Sequence, residues 1–426
     1  MSSLNKAEIA SLIVAPSITG CISSLASMTL IVSILRSELK LSTVYRRLIF
    51  FLSAFDIIFS LSHLLSSLPM PAGTVWGAIG NDITCDMQGF FATFGLCCTV
   101  LYSLSLTVYF LLVVKFKMSE AKIKKRAEPF LHAVPIVYSL AVSIYACVTN
   151  NFNSAGTLCW IAPEPPNCEN DPEVECLSSG NTYALRWVGA GLPILVVFLG
   201  NCTMLAVIWW EYRSQVRKNQ AYGNVFTQSN TDTQQTTQGD EEEQIKSAVS
   251  CNPCSCCLII KNCSKSQSDN QRTSDLATYL SRPSRSSVRN LEEISKRAVA
   301  YVIGFLFCFL FATIYRLFEE HGSGNVPFAI VVLARFFFPL QGLFNILIYT
   351  YPHVTSYRRN HTECNWFQAF WNVIRSGGDS DQLRVGRASR RTTLLKMQRV
   401  LAQSEFKGKR NEVEGIMARD DQREEV

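Results

Sequence analysis

The chain has 426 residues, 48% of them hydrophobic and only 17% charged, with a formal net charge of +6. Its mean hydropathy of +0.14 is too high for an ordinary water-soluble protein of this length, so composition points to the membrane. The sequence contains no Walker loop, no His-Glu-x-x-His motif and no nucleophile elbow, and its basic residues collect between apolar runs. An enzyme, a metal centre, a bound cofactor and a nucleic-acid partner are therefore not expected.

A helix needs about 20 apolar residues to cross a hydrocarbon core of roughly 30 Å. Seven runs meet that length, near 10–35, 48–68, 85–114, 130–149, 187–210, 298–317 and 327–351, and none contains Lys. The fold expected is an all-α membrane protein, a seven-transmembrane helix bundle over 10–351. Residues 1–9 form a short segment ahead of it, and the first span is expected to remain as a signal anchor, because no cleavage pattern follows a short apolar run.

The loops orient the bundle. Arg36, Lys40, Arg46 and Arg47 lie between spans one and two, and Lys115, Lys117, Lys122, Lys124, Lys125 and Arg126 between spans three and four. Loops 69–84, 150–185 and 318–326 hold neither Lys nor Arg. Basic residues stay on the cytoplasmic side, so the N-terminus is expected outside and the C-terminus inside.

Span two carries Asp56 and His63, and span three opens on Cys85, Asp86 and Gln88. Asp56 lies about 12 Å above the inner start of its helix at 1.5 Å per residue. A carboxylate at that depth must face protein or water rather than lipid. The loop after span four holds Cys159, Cys168 and Cys176, on the side where oxidation is permitted. Sequence alone does not fix the pairing. The favoured arrangement joins Cys85 to Cys159 and closes a small loop with Cys168 and Cys176.

Arg186 opens span five and Arg316 closes span six, with Arg335 about 12 Å below the outer end of span seven. Together with His63 and Gln88 they are the candidate ligand-pocket residues. For Arg335 two readings stand side by side, recognition of an anionic small molecule and a salt bridge, with Asp86 the nearest candidate by level. Between spans five and six, residues 211–296 turn rich in Gln, Ser, Thr and Asn, with an acidic run at 240–243, and read as a disordered cytoplasmic loop. Cys251, Cys254, Cys256, Cys257 and Cys263 cluster there, the first four being the acylation candidates. One Cys-x-x-Cys without a second pair at finger spacing argues against zinc. S-acylation is the leading reading, with Cys364 a further candidate.

Span seven ends in "PLQGLFNILIY", residues 339–349. Gln341, Asn345 and Tyr349 recur every four residues, so one stripe of that helix is polar and must face other helices. Asn345 lies about 9 Å from the inner end, close to the level of Asp56. These four residues are the candidate inner switch network. Residues 352–426 form a cytoplasmic tail. In it, 364–375 places Trp366, Phe367, Phe370, Trp371 and Ile374 on one face of an interfacial helix. Ser284, Ser286, Ser389, Thr392 and Thr393 follow Arg residues as basic-directed kinases prefer.

Four patterns fall in order on this frame: "VYRRLIFFLSAFDIIFSL" at 44–61, "CDMQGFF" at 85–91, "LCWI" at 158–161 and the end of span seven. Together they resemble the G-protein-coupled receptors of the slime-mould cyclic-AMP-receptor type, a group that borders the secretin and adhesion class. The resemblance covers about 10–351. The chain departs from rhodopsin-like receptors, since "YFLLVVKFKMSE" replaces Asp-Arg-Tyr and span seven lacks Asn-Pro-x-x-Tyr. It also departs from secretin-type receptors, whose large hormone-binding ectodomain has no counterpart in the few residues before span one.

The resemblance implies a plasma-membrane receptor that takes a small-molecule or short-peptide ligand outside and engages a heterotrimeric G protein inside. Kinases and arrestin-like proteins are further implied partners. Arg46, Arg47, Lys115, Lys124, Lys125, Lys296 and Arg297 would meet the G protein. The alternative function is a small-solute transporter or channel, with Asp56, His63 and Arg335 lining the path. No inverted repeat or ring of charge supports that alternative.

Overall fold

The computed structural model describes residues 5–165, 168, 174–176, 181–235, 285–320 and 326–377. Among these, seven helical stretches are long and apolar enough to cross a membrane, Lys6–Arg36, Val44–Leu65, Asp82–Val114, Glu128–Val148, Thr182–Ser214, Glu292–Phe318 and Phe328–Asn360. They match the seven predicted runs in order. Most extend past them, because a helix continues through its polar ends wherever the backbone is capped, whereas hydropathy registers only the apolar middle.

The caps are visible in the sequence. Helix α1 (Lys6–Arg36) starts at Asn5, whose N–H donates to Glu8 Oε2 at 2.8 Å. Helix α2 (Val44–Leu65) starts where Thr43 Oγ1 accepts from Arg46 N at 3.3 Å. It stops at Leu65, short of the predicted 68, where Ser66 turns to a φ of 45°. Helix α3 (Asp82–Val114) opens on a reciprocal pair: Thr84 N donates to Asn81 Oδ1 at 3.0 Å and Asn81 N to Thr84 Oγ1 at 2.8 Å.

The short helix α4 (Glu120–Arg126) leads straight into α5 (Glu128–Val148). Strands β1 (Phe152–Ser154) and β2 (Cys159–Ile161) then pair antiparallel, Asn153 opposite Trp160. Helix α6 (Thr182–Arg186) passes through a π turn, Trp187–Gly191, into α7 (Leu192–Gln235). Helix α8 spans Arg285–Glu320. Helix is thus present at 211–235 and 285–296, where composition reads as a loop. Gln, Arg and Lys are good helix formers, and Lys296 pairs with Glu292 at 2.7 Å, one turn apart. Residues 236–284, with the five clustered cysteines and Ser284, lie outside the described residues, as do Ser389, Thr392 and Thr393.

The seventh span is interrupted. Helix α9 (Phe328–Phe337) tightens into a 3-10 turn at Phe338–Leu340, which contains Pro339, before α10 (Gln341–Asn360). Proline carries no N–H for the α-helical ladder, which accounts for the break. Helix α11 (Trp366–Ser376) follows, boxed by Asn365 and Gln368 and ended by Gly377 at a φ of 72°.

The chain divides into two compact units, 1–109 with 119–201 and 300–426, and 110–118 with 202–299. The first unit contains the main core, built from Phe59, Leu96, Val100, Ile194, Val197, Phe305, Phe309 and Leu340. Within it α2 and α3 touch backbone to backbone at Gly95, where a Cβ would lie 2.7 Å from Phe59 N. Large apolar side chains also cover its outside, among them Phe130, Val134, Val137 and Leu199. In the second unit Arg213 lies 4.6 Å from the Trp209 ring.

Candidate functional site

Two groups of polar residues, both inside the first unit, account for the predicted site residues at the two ends of the helices. At one end β2 is the hub. Cys159 is joined to Cys85 with 5.2 Å between Cα atoms, and Cys168 to Cys176 with 5.4 Å. Gln88 is buried and fully bonded. Its amide donates to Ser62 O at 3.0 Å and Ser66 O at 2.7 Å, and its Oε1 accepts from Cys159 N at 3.0 Å. Arg186 Nε donates to Ile161 O at 2.9 Å, and the Arg316 guanidinium lies 4.9 Å from the Trp160 ring. Three consecutive β2 residues thus gather Gln88, Arg316 and Arg186 from three different helices.

His63 is buried, its Nδ1 3.0 Å from Phe59 O and its ring against Phe59 and Phe338. Arg335 is near enough to act on it electrostatically. Asp86 is half-buried beside the charge of Asp82 on its own helix.

At the other group, Asp56, Gln341, Asn345 and Tyr349 are all buried. Asp56 Oδ2 accepts from Ser27 at 2.7 Å, Ser23 at 3.1 Å and Ser60 at 3.4 Å. Ser23 Oγ in turn accepts from Gly342 N at 2.9 Å. A Cβ on Gly342 would stand 2.2 Å from Ser27 Oγ and 2.3 Å from Asp56 Oδ2, so glycine is required for α1, α2 and α10 to meet there. Gln341 Nε2 donates to Asn345 Oδ1 at 3.2 Å. Asp56 Oδ1, Gln341 Oε1 and Asn345 Nδ2 have no hydrogen-bond partner among the described residues.

Of the partners open to a buried Asp56, which are amides, hydroxyls and water, the structure shows hydroxyls. The carboxylate is held by hydroxyls of α1 and α2, not by the Asn345 amide. Sequence reading missed Ser23 and Ser27, whose spacing of four in "SSLAS" was the available signal. It also missed Asn201 on α7, a buried amide in an apolar run with no partner for Oδ1 or Nδ2 among the described residues.

Nearby, Tyr45 stacks on Tyr109 at 6.2 Å and on Tyr349 at 6.4 Å, and its OH lies 3.3 Å from that of Tyr301. Arg46 is buried and bonds Ser37. Arg47 pairs with Glu128 and donates to Leu41 O at 2.6 Å. Of the predicted basic contacts, these two are internal struts, whereas Lys115, Lys124, Lys125 and Lys296 are exposed and Arg297 is half-buried.

Helix α11 docks Ala369 and Val373 on Val354 of α10, and turns Phe367 and Trp371 outward. Its apolar surface is therefore wider than the single predicted face. Cys364, just before it, is half-buried. No group of His, Cys, Asp and Glu among the described residues has the arrangement of a metal centre. Compared with known proteins, the chain matches no family model and no curated protein sequence.

Proposed function

We propose that this chain is a plasma-membrane receptor with its N-terminus outside and its C-terminus inside. A small-molecule or short-peptide ligand acts at the β2 end, and a heterotrimeric G protein is engaged at the basic end. The observation that carries this reading is the half-satisfied network around Asp56. Three buried polar atoms on α2 and α10 have no hydrogen-bond partner among the described residues. Each such atom costs about 1–3 kcal/mol, so an arrangement that pairs them is a competing state within reach of a ligand's binding energy.

Three features support the same reading. Seven apolar helices carry large exposed side chains that suit lipid. Basic loops alternate with loops free of Lys and Arg. The β2 hub gathers cationic side chains from two helices beneath a disulfide-tied loop.

The test is reconstitution in liposomes with a purified heterotrimeric G protein, followed by nucleotide exchange across a panel of anionic metabolites and short peptides. Ligand-dependent exchange without solute flux is expected. Flux of a panel compound without exchange would replace the receptor by a transporter.

A further inference from the structure

Helix α4 carries Lys122, Lys124, Lys125 and Arg126, four cations in seven residues, and all four are exposed. None forms a salt bridge with a described residue. The acids that could neutralise them are engaged elsewhere. Glu120 Oε1 accepts from Val44 N at 2.6 Å and its Oε2 from Tyr109 OH at 3.1 Å. Glu128 is bonded through both oxygens to Arg47, with His132 Nε2 3.7 Å away. The patch is thus made basic by the inward use of both its carboxylates.

It is also held in place. Ile123 is fully buried, and Glu120 ties the start of α4 to α2 and α3. The four cations therefore project from a fixed turn rather than a loose loop. Directly after it, α5 exposes Phe130, Val134, Val137, Ile144 and Val148 along its length. Phe130 stands four residues beyond Arg126, so the cations sit where an apolar surface begins.

We propose that α4 and the first turns of α5 form a binding surface for an anionic phospholipid. The phosphates of its headgroup lie among Lys122, Lys124, Lys125 and Arg126, and its acyl chains lie along Phe130, Val134 and Val137. Charge complementarity selects the headgroup, and continuity with the apolar row selects a lipid over a soluble anion. The proposal takes its membrane setting from the receptor reading but does not depend on signalling.

The experiment titrates a fluorescent phosphatidylinositol bisphosphate against the purified full chain in neutral detergent, read by polarisation. The variants are the fourfold Lys122→Gln, Lys124→Gln, Lys125→Gln, Arg126→Gln, and the charge-keeping Lys122→Arg, Lys124→Arg, Lys125→Arg. Each cation near an anionic surface is worth about fivefold. The glutamine variant should bind at least about tenfold more weakly, the arginine variant like wild type, and a phosphatidylcholine probe should bind neither well.

Equal binding by the glutamine variant overturns the proposal, as does equal binding of the phosphatidylcholine probe. Binding of the free inositol phosphate as tightly as the lipid overturns the role of the apolar row. Tighter binding of a poly-glutamate peptide than of the lipid assigns the surface to an acidic protein segment instead. Because nucleotide exchange is not read, failure here and failure of the receptor reading are separate results.

Discussion

The β2 end and the Asp56 end of this molecule use polar side chains in opposite ways. At β2 most of the described polar groups are bonded: Gln88 makes three hydrogen bonds, Arg186 caps a strand carbonyl and a disulfide joins the strand to α3, while the buried Thr157 Oγ1 has no partner among the described residues. Around Asp56 the groups are as deeply buried, yet one carboxylate oxygen, one amide oxygen and one amide nitrogen have no partner among the described residues. Fuller pairing suits a frame that holds a shape. Incomplete pairing suits an element with a second arrangement.

The largest effect is expected where the open network is packed tightest. Gly342→Ala places a methyl group against Ser27 Oγ, Asp56 Oδ2 and Ser23 O, with backbone on one side, and should cost about 3 kcal/mol. Thermal unfolding in detergent measures it. Little change would mean that α10 shifts freely there, and the contrast between a frame and a switch would lose its geometric basis.

Next comes the frame. Gln88→Leu keeps the bulk but strips Cys159 N of its acceptor, and should cost about 2 kcal/mol. Limited proteolysis of the loop around β2 should also rise, because the amide ties that strand to the end of α2. A variant as stable as wild type, with an unchanged proteolysis pattern, would show that the disulfide alone holds the strand.

These two expectations also mark what the sequence makes legible. The seven helices long and apolar enough to cross a membrane follow from hydropathy, because a helix suited to hydrocarbon satisfies its own backbone and carries a long apolar run. The polar stripe of α10 is legible for the same reason, since Gln341 and Asn345 stand out against Leu and Ile. Ser23 and Ser27 do not stand out. Serine is common in apolar helices, where it can return its hydroxyl to a carbonyl one turn back, so its use as a donor to Asp56 appears only once α1 and α2 are packed. Arg46 and Arg47 mislead in the other direction. Their position beside a span suggests partner contacts, but their reach lets them bond Ser37, Leu41 and Glu128.

A smaller change follows from Asn345→Leu. Its Nδ2 has no partner among the described residues, and its described hydrogen bond is the one accepted from Gln341. Loss of that bond is offset by removal of the open amide, so stability should change by less than about 1 kcal/mol. Ligand-driven nucleotide exchange should fall nonetheless, because the alternative arrangement loses a member. A loss of stability as large as that of Gly342→Ala would make Asn345 part of the frame.

The smallest effect on stability, and the sharpest division between the two ends, belongs to Asp56→Asn. The amide oxygen can take the place of Oδ2 and keep accepting from Ser23, Ser27 and Ser60. Its NH2 then occupies the position of Oδ1, which has no partner among the described residues. A formal charge is removed from a fully buried site while the shape is conserved, so unfolding should shift by less than about 1 kcal/mol, toward stabilisation if it shifts at all. Asp56→Leu instead strands the Ser23 and Ser27 hydroxyls, while Ser60 keeps Pro339 O as an acceptor, and should cost about 1–3 kcal/mol. If Asp56 is the pivot of the second arrangement, Asp56→Asn changes basal and ligand-driven exchange while unfolding as wild type does, a separation that Gln88→Leu cannot produce. Should Asp56→Asn signal as wild type does, the open atoms around it are a tolerated packing defect, and the switch must be sought elsewhere in the helices.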